Sequence, residues 1–502
     1  WIQREAYCKG DITKYDFGAL DSTMQAAKRL GIDEVVGHTL VWDLPSTAWT
    51  NQDADGNWID RDTALARMKE YITKVINHCN GNGDASEYKS GADYSDWRVP
   101  VWDVVNEAAA HTNENIADGY YWKRGGGHMR IIGKDYVYYA YKYAKEVDPA
   151  AELRYNDYED FIGKSDRIVG IVNAVNTPDK YVNGKPLIDT IGYQCHFVQN
   201  MSVEHAENTV KKFISTGLNL DITELDVSAF PFSTSTPRMY EDGITKMREL
   251  EQAMIIRNFF KVLKENAADI NRVTFWTVTD KYSRTTSDNR FDYLGIFDRN
   301  YKAKPQFYAM TCTDDEFYSM YPEAKALFKK TSWNFDRDTD ITWNADLGSW
   351  ARVSPIDYSQ QPKLADGGYI TVPSSYTKSQ NRGIRIKLSE AQLAPGKTYT
   401  LTFKAKVDST AYAGKNYYAA LQKPGYVIDI YDEPAQFLTS SPAVGTTSAS
   451  WTEYSTAVTP TADMYEDGFT MLYITVSGSL QSGTALCFDD ISITEGTGGI
   501  NP

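Results

Sequence analysis

Two glutamates close apolar runs in the first half of the 502-residue chain: Glu107 ends WDVVNE and Glu224 ends DITE. Paired carboxylates suit the cleavage of a glycosidic bond. One stays protonated to help the leaving oxygen depart, while the other is ionised and attacks the anomeric carbon. A separation of about 5–5.5 Å implies retention of configuration and about 6.5–9.5 Å implies inversion. Further polar residues end the same runs: His38 and Trp42–Asp43, Asn106, Asn156–Asp157–Tyr158, Gln194 and His196, Asp226, then Trp276 and Asp280. A single strand-end glutamate reads equally as a helix cap or a salt-bridged carboxylate. Six runs ending this way are hard to explain by folding alone, because parallel barrels collect their active sites at the C-terminal ends of strands.

The elements that must position these groups alternate. DSTMQAAKRLG reads as a helix closed by Gly31, and EVVGHTLVW as a buried strand. ALARMKEYITKVINHC and KDYVYYAYKYAKEVD read as helices, the latter with a tyrosine stripe that we assign to helix packing. VPVWDVVNE, ELRYND, KPLIDTIGYQCH, NLDITELDV and NRVTFWTVTD read as strands, and MRELEQAMIIRNFFKVLKENA as a long helix between the last two. Repeated β then α, with runs too apolar for a one-sided sheet, predicts a parallel sheet covered by helices. Around residues 331–345 the pattern changes. GYITV, GIRIKL, TYTLTFKAKV, FTMLYITV and LCFDDISIT alternate with period two, which predicts an antiparallel sandwich.

Composition narrows the function classes. Lys and Arg number 52 against 67 for Asp and Glu, a net charge of −15, and such a chain is a poor candidate for gripping phosphate backbones. With 12 Trp, 35 Tyr and 19 Phe it leans toward neutral polar ligands such as sugars, whose CH faces stack on rings. No apolar run reaches the length of a membrane span. The cysteines (Cys8, Cys79, Cys195, Cys312, Cys487) are odd in number and lack CxxC or Cys/His spacing, so neither a zinc site nor a disulfide framework is expected, and one disulfide remains open.

On GHTLVW (37–42), WDVVNEA (102–108), NDY (156–158), GYQCHF (192–197), DITELDV (221–227), FWTVTDKYS (275–283) and KPQFYAM (304–310), the chain resembles glycoside hydrolase family 10, the endo-β-1,4-xylanases. The resemblance covers roughly residues 15–312 and implies an α/β fold of the TIM (β/α)8 type. It implies Glu107 as general acid/base, Asn106 as the binder of the sugar 2-hydroxyl, and Glu224 as nucleophile held by His196. Gln194 and Trp276 would line the non-reducing side of the cut, and Tyr158 the leaving-group side. His38 and Trp42 keep two readings, barrel packing and substrate contact.

The pattern also breaks. Asp43 stands where the family has a second histidine, and Arg284 where it has a tryptophan, so both bear on which decorated xylan or other β-glycan is taken. Residues 1–21 read as the tail of a second βα loop. Two barrel strands are therefore expected to be absent from this chain, which is expected to be a part of a longer protein, trimmed before Trp1; the alternative is that another segment or chain supplies them. Residues 332–497 resemble the jelly-roll carbohydrate-binding modules found beside xylanases, on LAPGKTYTLTFKAKV, SWTEYS and CFDDISITE. Such modules often carry a structural calcium, for which Asp489 and Asp490 are candidates and strand-end roles the alternative. Tyr417, Tyr418, Tyr426 and Tyr431 form a candidate ligand face or are ordinary sheet tyrosines. The expectation is a barrel over 1–325 and a sandwich over 332–497. It would be a secreted, cell-surface or periplasmic enzyme that cuts xylan or a related plant cell-wall polysaccharide with retention. It would need no redox or nucleotide cofactor and could belong to a larger glycan-degrading system. The rival from another class is a non-catalytic glycan-binding protein.

Overall fold

The structure is a computed structural model, and it describes residues 15–42, 51–53, 55–84, 88, 94, 96–110, 127–159, 164–197, 203–229, 244, 246–283, 293–324, 332–333, 363–365, 369–373, 383–389, 392–410, 413–422, 443–465, 469–476 and 484–496. The chain groups into two units, one of residues 1–195, 208–225 and 266–276, the other of 196–207, 226–265 and 277–502. Each is taken by itself.

Strands β1 (Val36–Trp42), β2 (Val101–Asn106), β3 (Glu152–Asp157), β4 (Thr190–Tyr193), β5 (His196–Phe197), β6 (Asn219–Val227) and β7 (Ile270–Phe275) carry the parallel pairing. In the first unit the hydrogen-bonded order is β1-β2-β3-β4-β6, with β7 on β6. Sequence neighbours are spatial neighbours and all run one way, which is the single winding of a barrel and not the reversal of a doubly wound sheet. Helices α1 (Gly18–Arg29), α2 (Arg61–Cys79), α3 (Gly127–Ile131), α4 (Asp135–Val147), α5 (Lys164–Val175) and α6 (Val203–Ile214) alternate with these strands. Asp60 caps α2 by accepting from Thr63 N–H.

Every residue of β2 is buried, the mark of a strand covered on both faces. Its Trp102 lies against Gly37 of β1, where a Cβ would come within 2.1 Å of the indole; only glycine fits. In α4, Tyr136, Tyr141 and Tyr143 are buried, so that part of the tyrosine stripe is packing surface. The six expected strands are all present. The fourth is broken, however: it stops at Tyr193 and resumes at His196, because Cys195 takes a left-handed backbone (φ 58°) that no continuous strand can hold.

The second unit pairs β5 with the end of β6, His196 opposite Asp226 and Phe197 opposite Val227. It includes α7 (Lys246–Glu265), α8 (Pro305–Thr311) and α9 (Asp314–Met320), the last opened by a capping box between Thr313 and Glu316. Beyond residue 331 every strand pair is antiparallel. These strands are β8 (Ser332–Trp333), β9 (Lys363–Ala365), β10 (Tyr369–Pro373), β11 (Gly383–Ser389), β12 (Tyr399–Val407), β13 (Asn416–Gln422), β14 (Gly445–Thr446), β15 (Thr452–Val458), β16 (Phe469–Val476) and β17 (Ala485–Glu495). One sheet runs β15-β12-β17-β10-β9 with β8 on β17, the other β11-β16-β13-β14. Alternate residues of both sheets, among them Phe403, Leu421, Ile474 and Phe488, share one hydrophobic core.

That core corrects one expectation. Tyr417 is fully buried, packed with Phe403 and Tyr454, because alternation along β13 turns it inward with Ala419 and Leu421. It cannot belong to a ligand face. Tyr418 is half-buried, and Tyr426 and Tyr431 lie outside the described residues. Asp490 forms an exposed ion pair with Lys404 Nζ at 2.6 Å. Among the described residues no three His, Cys, Asp or Glu gather that could hold a metal ion, and no helix is long and apolar enough to cross a membrane. No disulfide joins Cys79, Cys195, Cys312 or Cys487.

Candidate active site

The strand ends of the first unit meet through their backbones before their side chains matter. Glu107 follows the last residue of β2, and its N–H donates to Asn156 O at 2.9 Å. Its φ of 54° lies in the left-handed region, a costly conformation for a residue with a Cβ. Gln194 N–H donates to Asp157 O and Glu224 N–H to Gln194 O, each at 3.0 Å. Four strand ends are thus held in one backbone register.

On that frame the side chains form a continuous relay. Gln194 Nε2 donates to Glu107 Oε1 at 3.1 Å and to Asn106 Oδ1 at 3.3 Å. Asn156 Nδ2 donates to the same Asn106 Oδ1 at 2.9 Å and to Glu224 Oε1 at 2.7 Å. Thr223 Oγ1 donates to Asn156 Oδ1 at 2.7 Å, which fixes the orientation of that amide. Asn106, Asn156 and Gln194 are all at most 1% exposed, and Glu224 is 5% exposed. Gly192 makes room: a Cβ there would lie 2.6 Å from Asn156 Oδ1. One polar atom is left over. Among the described residues, buried Asn106 Nδ2 has no hydrogen-bond partner, a donor that a bound hydroxyl can satisfy.

His38, Trp42 and Trp276, read separately from the sequence, come together. The His38 ring meets Trp276 edge-on at 5.4 Å and Trp42 at 6.3 Å between centroids. His38 Nδ1 lies 2.9 Å from Asp103 Oδ2. Tyr158, just past β3, lies under the Lys164 ammonium, 3.0 Å from its ring centroid. His196 is described in the other unit, where its Nδ1 is 3.0 Å from Asp226 Oδ1. Asp43 and Arg284 lie outside the described residues.

Below the relay lies a charged lattice. Arg154 Nε donates to Asp103 Oδ1 at 2.6 Å and Nη1 to Asp221 Oδ2 at 2.7 Å; Arg272 Nη1 reaches the same Asp221 oxygen at 2.7 Å. Burial is the largest single influence and would raise the Asp103 carboxyl, but the Arg154 charge together with hydrogen bonds from His38 and Arg154 outweighs it, and Asp103 is held at about 2. As an ionised acceptor it requires the proton on His38 Nδ1, which sets that ring's tautomer. Asp221 goes the other way. Burial raises it despite Arg154 and Arg272, and its Oδ1 has no hydrogen-bond partner.

The sequence reading missed Asn156 as a bridge, Thr223 as its orienter, and the Asp103–Arg154–Asp221 lattice. The lattice did leave a signal: a charge inside an apolar strand (WDVVN, ELRYND, NLDIT) must find a buried partner.

Residues 3–312 match the sequence profile of glycosyl hydrolase family 10. The chain is 35% identical over 303 residues to endo-1,4-beta-xylanase A of Thermotoga neapolitana, covering 60% of this chain and 25% of that one. It is 31% identical over 281 residues to an endo-1,4-beta-xylanase of Geobacillus stearothermophilus, covering 55% and 76%. A solved xylanase from Paenibacillus barcinonensis superposes with a TM-score of 0.52 at 27% identity, over 62% of this chain and 86% of that one. The chain therefore spans about a quarter of the Thermotoga relative's length. With a single-wound parallel sheet, two glutamates (one just after β2, one in β6) joined by one relay and a profile match over residues 3–312, this chain belongs to glycosyl hydrolase family 10.

Proposed function

We propose that the chain cuts β-1,4-xylan internally with retention of configuration, Glu224 attacking the anomeric carbon and Glu107 first protonating the leaving oxygen and then activating water. The observation that carries this is the relay: two carboxylates held by one set of neutral amides, beside a donor with no partner of its own. Two carboxylates suffice for this chemistry, so it calls for no redox or nucleotide cofactor. Asn106 Nδ2 would take a sugar hydroxyl. Trp276, with His38 and Trp42, would form the wall on the non-reducing side together with Gln194, and Tyr158 the leaving-group side. The names of the relatives support the substrate.

The antiparallel region we read as a jelly-roll module that holds the polymer near the site. That role, and export from the cell, accord with a polymeric substrate too large to enter one. Asp43 and Arg284 would set which decorations on the xylan are tolerated.

Glu224→Gln keeps the shape and removes the nucleophile. Reducing-sugar release from xylan should fall by about 10⁴-fold or more with an unchanged circular dichroism spectrum. Retained activity sinks the assignment.

A further inference from the structure

Two fully buried charged residues lie next to the relay without being part of it. Asp157, at the end of β3, and Lys164, the first residue of α5, are each 0% exposed, and Lys164 Nζ donates to Asp157 Oδ1 at 2.6 Å. Taking two charges fully out of water is expensive, and apolar residues of the same size often hold a fold as well or better. A pair kept in such a place calls for another reason.

The reason lies in what else the carboxylate holds. Asp157 Oδ1 also accepts from Tyr158 N–H at 2.9 Å, and Oδ2 accepts from Tyr155 OH at 2.7 Å and from Ala109 N–H at 3.1 Å. Ala109 is two residues after Glu107, whose own N–H is tied to Asn156 O. The left-handed backbone of Glu107 is therefore pinned on both sides to the same two-residue step of β3. The other half of the pair reaches the opposite wall, since the Lys164 ammonium sits over the Tyr158 ring.

We propose that Asp157 and Lys164 are a positioning pair, which fixes the general acid Glu107 through Ala109 and the leaving-group wall through Tyr158. The inference rests on the roles proposed above for Glu107 and Tyr158. Asp157 offers four donors a fully buried carboxylate; Lys164 is one of those donors and also sits over the Tyr158 ring. Misplacing an acid by a fraction of its reach weakens proton delivery more than it weakens binding.

The test compares leaving groups. Asp157→Asn changes one acceptor oxygen to a donor and leaves the side-chain shape alone. Because it strands the Lys164 charge, the neutral double variant Asp157→Asn/Lys164→Met is measured beside it. For each, kcat/KM is read on xylan, whose sugar leaving group needs an acid, and on a dinitrophenyl β-xylobioside, whose leaving group does not. A drop of about 100-fold on xylan with less than about threefold on the activated glycoside is expected. Equal losses on both substrates, or no loss on xylan, overturn the pair's positioning role while leaving the xylanase reading intact. Failure of the unaltered chain to cleave either substrate overturns that reading, and the positioning role with it.

Discussion

Strands β2, β3 and β6 each carry a buried polar residue deeper in the strand and another nearer its end: Asp103 and Asn106, Arg154 and Asn156, Asp221 and Glu224. The deeper set is charged and holds itself by ion pairs, with Arg154 clamped between two aspartates. The end set is joined by neutral amides and keeps one donor unspent. The difference teaches what each layer is for. Charges of opposite sign lock three strands to one another, and their fields fix protonation states on the spot. Amides hold two carboxylates in place while adding no net charge beside them, which leaves both free to change state during a reaction.

The sharpest way to break this comparison is Arg154→Met. Removing the cation leaves the buried Asp103 with His38 and the buried Asp221 with Arg272 but strips both of their shared guanidinium, and folding stability should fall by about 3–5 kcal/mol in urea denaturation. A loss under about 1 kcal/mol means the lattice is not what holds the strands. In the end set, Asn106→Asp keeps the acceptor used by Asn156 and Gln194 and replaces only the unspent donor. Xylan cleavage should fall by about 100-fold, while the thermal midpoint moves less than in Arg154→Met. If activity and stability fall in step, the two layers do not differ in purpose. The smallest effect concerns acid. Asp103 is depressed from 3.8 to about 2, so on lowering the pH the unfolded chain takes up its proton first. Its contribution to stability is complete above about 4 and lost by about 2, amounting to roughly 2 kcal/mol. The raised Asp221 does the reverse, favouring the folded state as it protonates. Denaturation midpoints for Asp103→Asn between these pH values should therefore be flatter than those of the unaltered chain; an identical slope counts against Arg154 as the cause.

Much of the end set was legible because its residues are chemically odd where they stand. A glutamate after WDVVN and one after DIT interrupt apolar runs, and six such endings pointed to a barrel mouth. What was hidden is pairing. Nothing in NDY says that Asn156 reaches Asn106 and Glu224 at once, since that depends on β3 standing beside β2, on β6 following across β4, and on Gly192 of β4 leaving space. The break at Cys195 was hidden for a related reason: GYQCHF is apolar enough for an unbroken strand, and only the backbone hydrogen bonds of Gln194 to its neighbours make the turn worthwhile. Tyr417 misled in the opposite direction. A run of two tyrosines in a strand puts one ring on each face, and alternation from Ala419 and Leu421 decides which.

The relay has a consequence for proton traffic. Each link between Glu107 and Glu224 is a carboxamide, which donates and accepts hydrogen bonds yet does not exchange its protons the way a hydroxyl, a water or an imidazole does. The bridge is therefore mechanically continuous and protonically an insulator. A proton resting on one glutamate finds no wire to the other along these amides, so the unequal charge that a two-carboxylate reaction needs does not leak away through them.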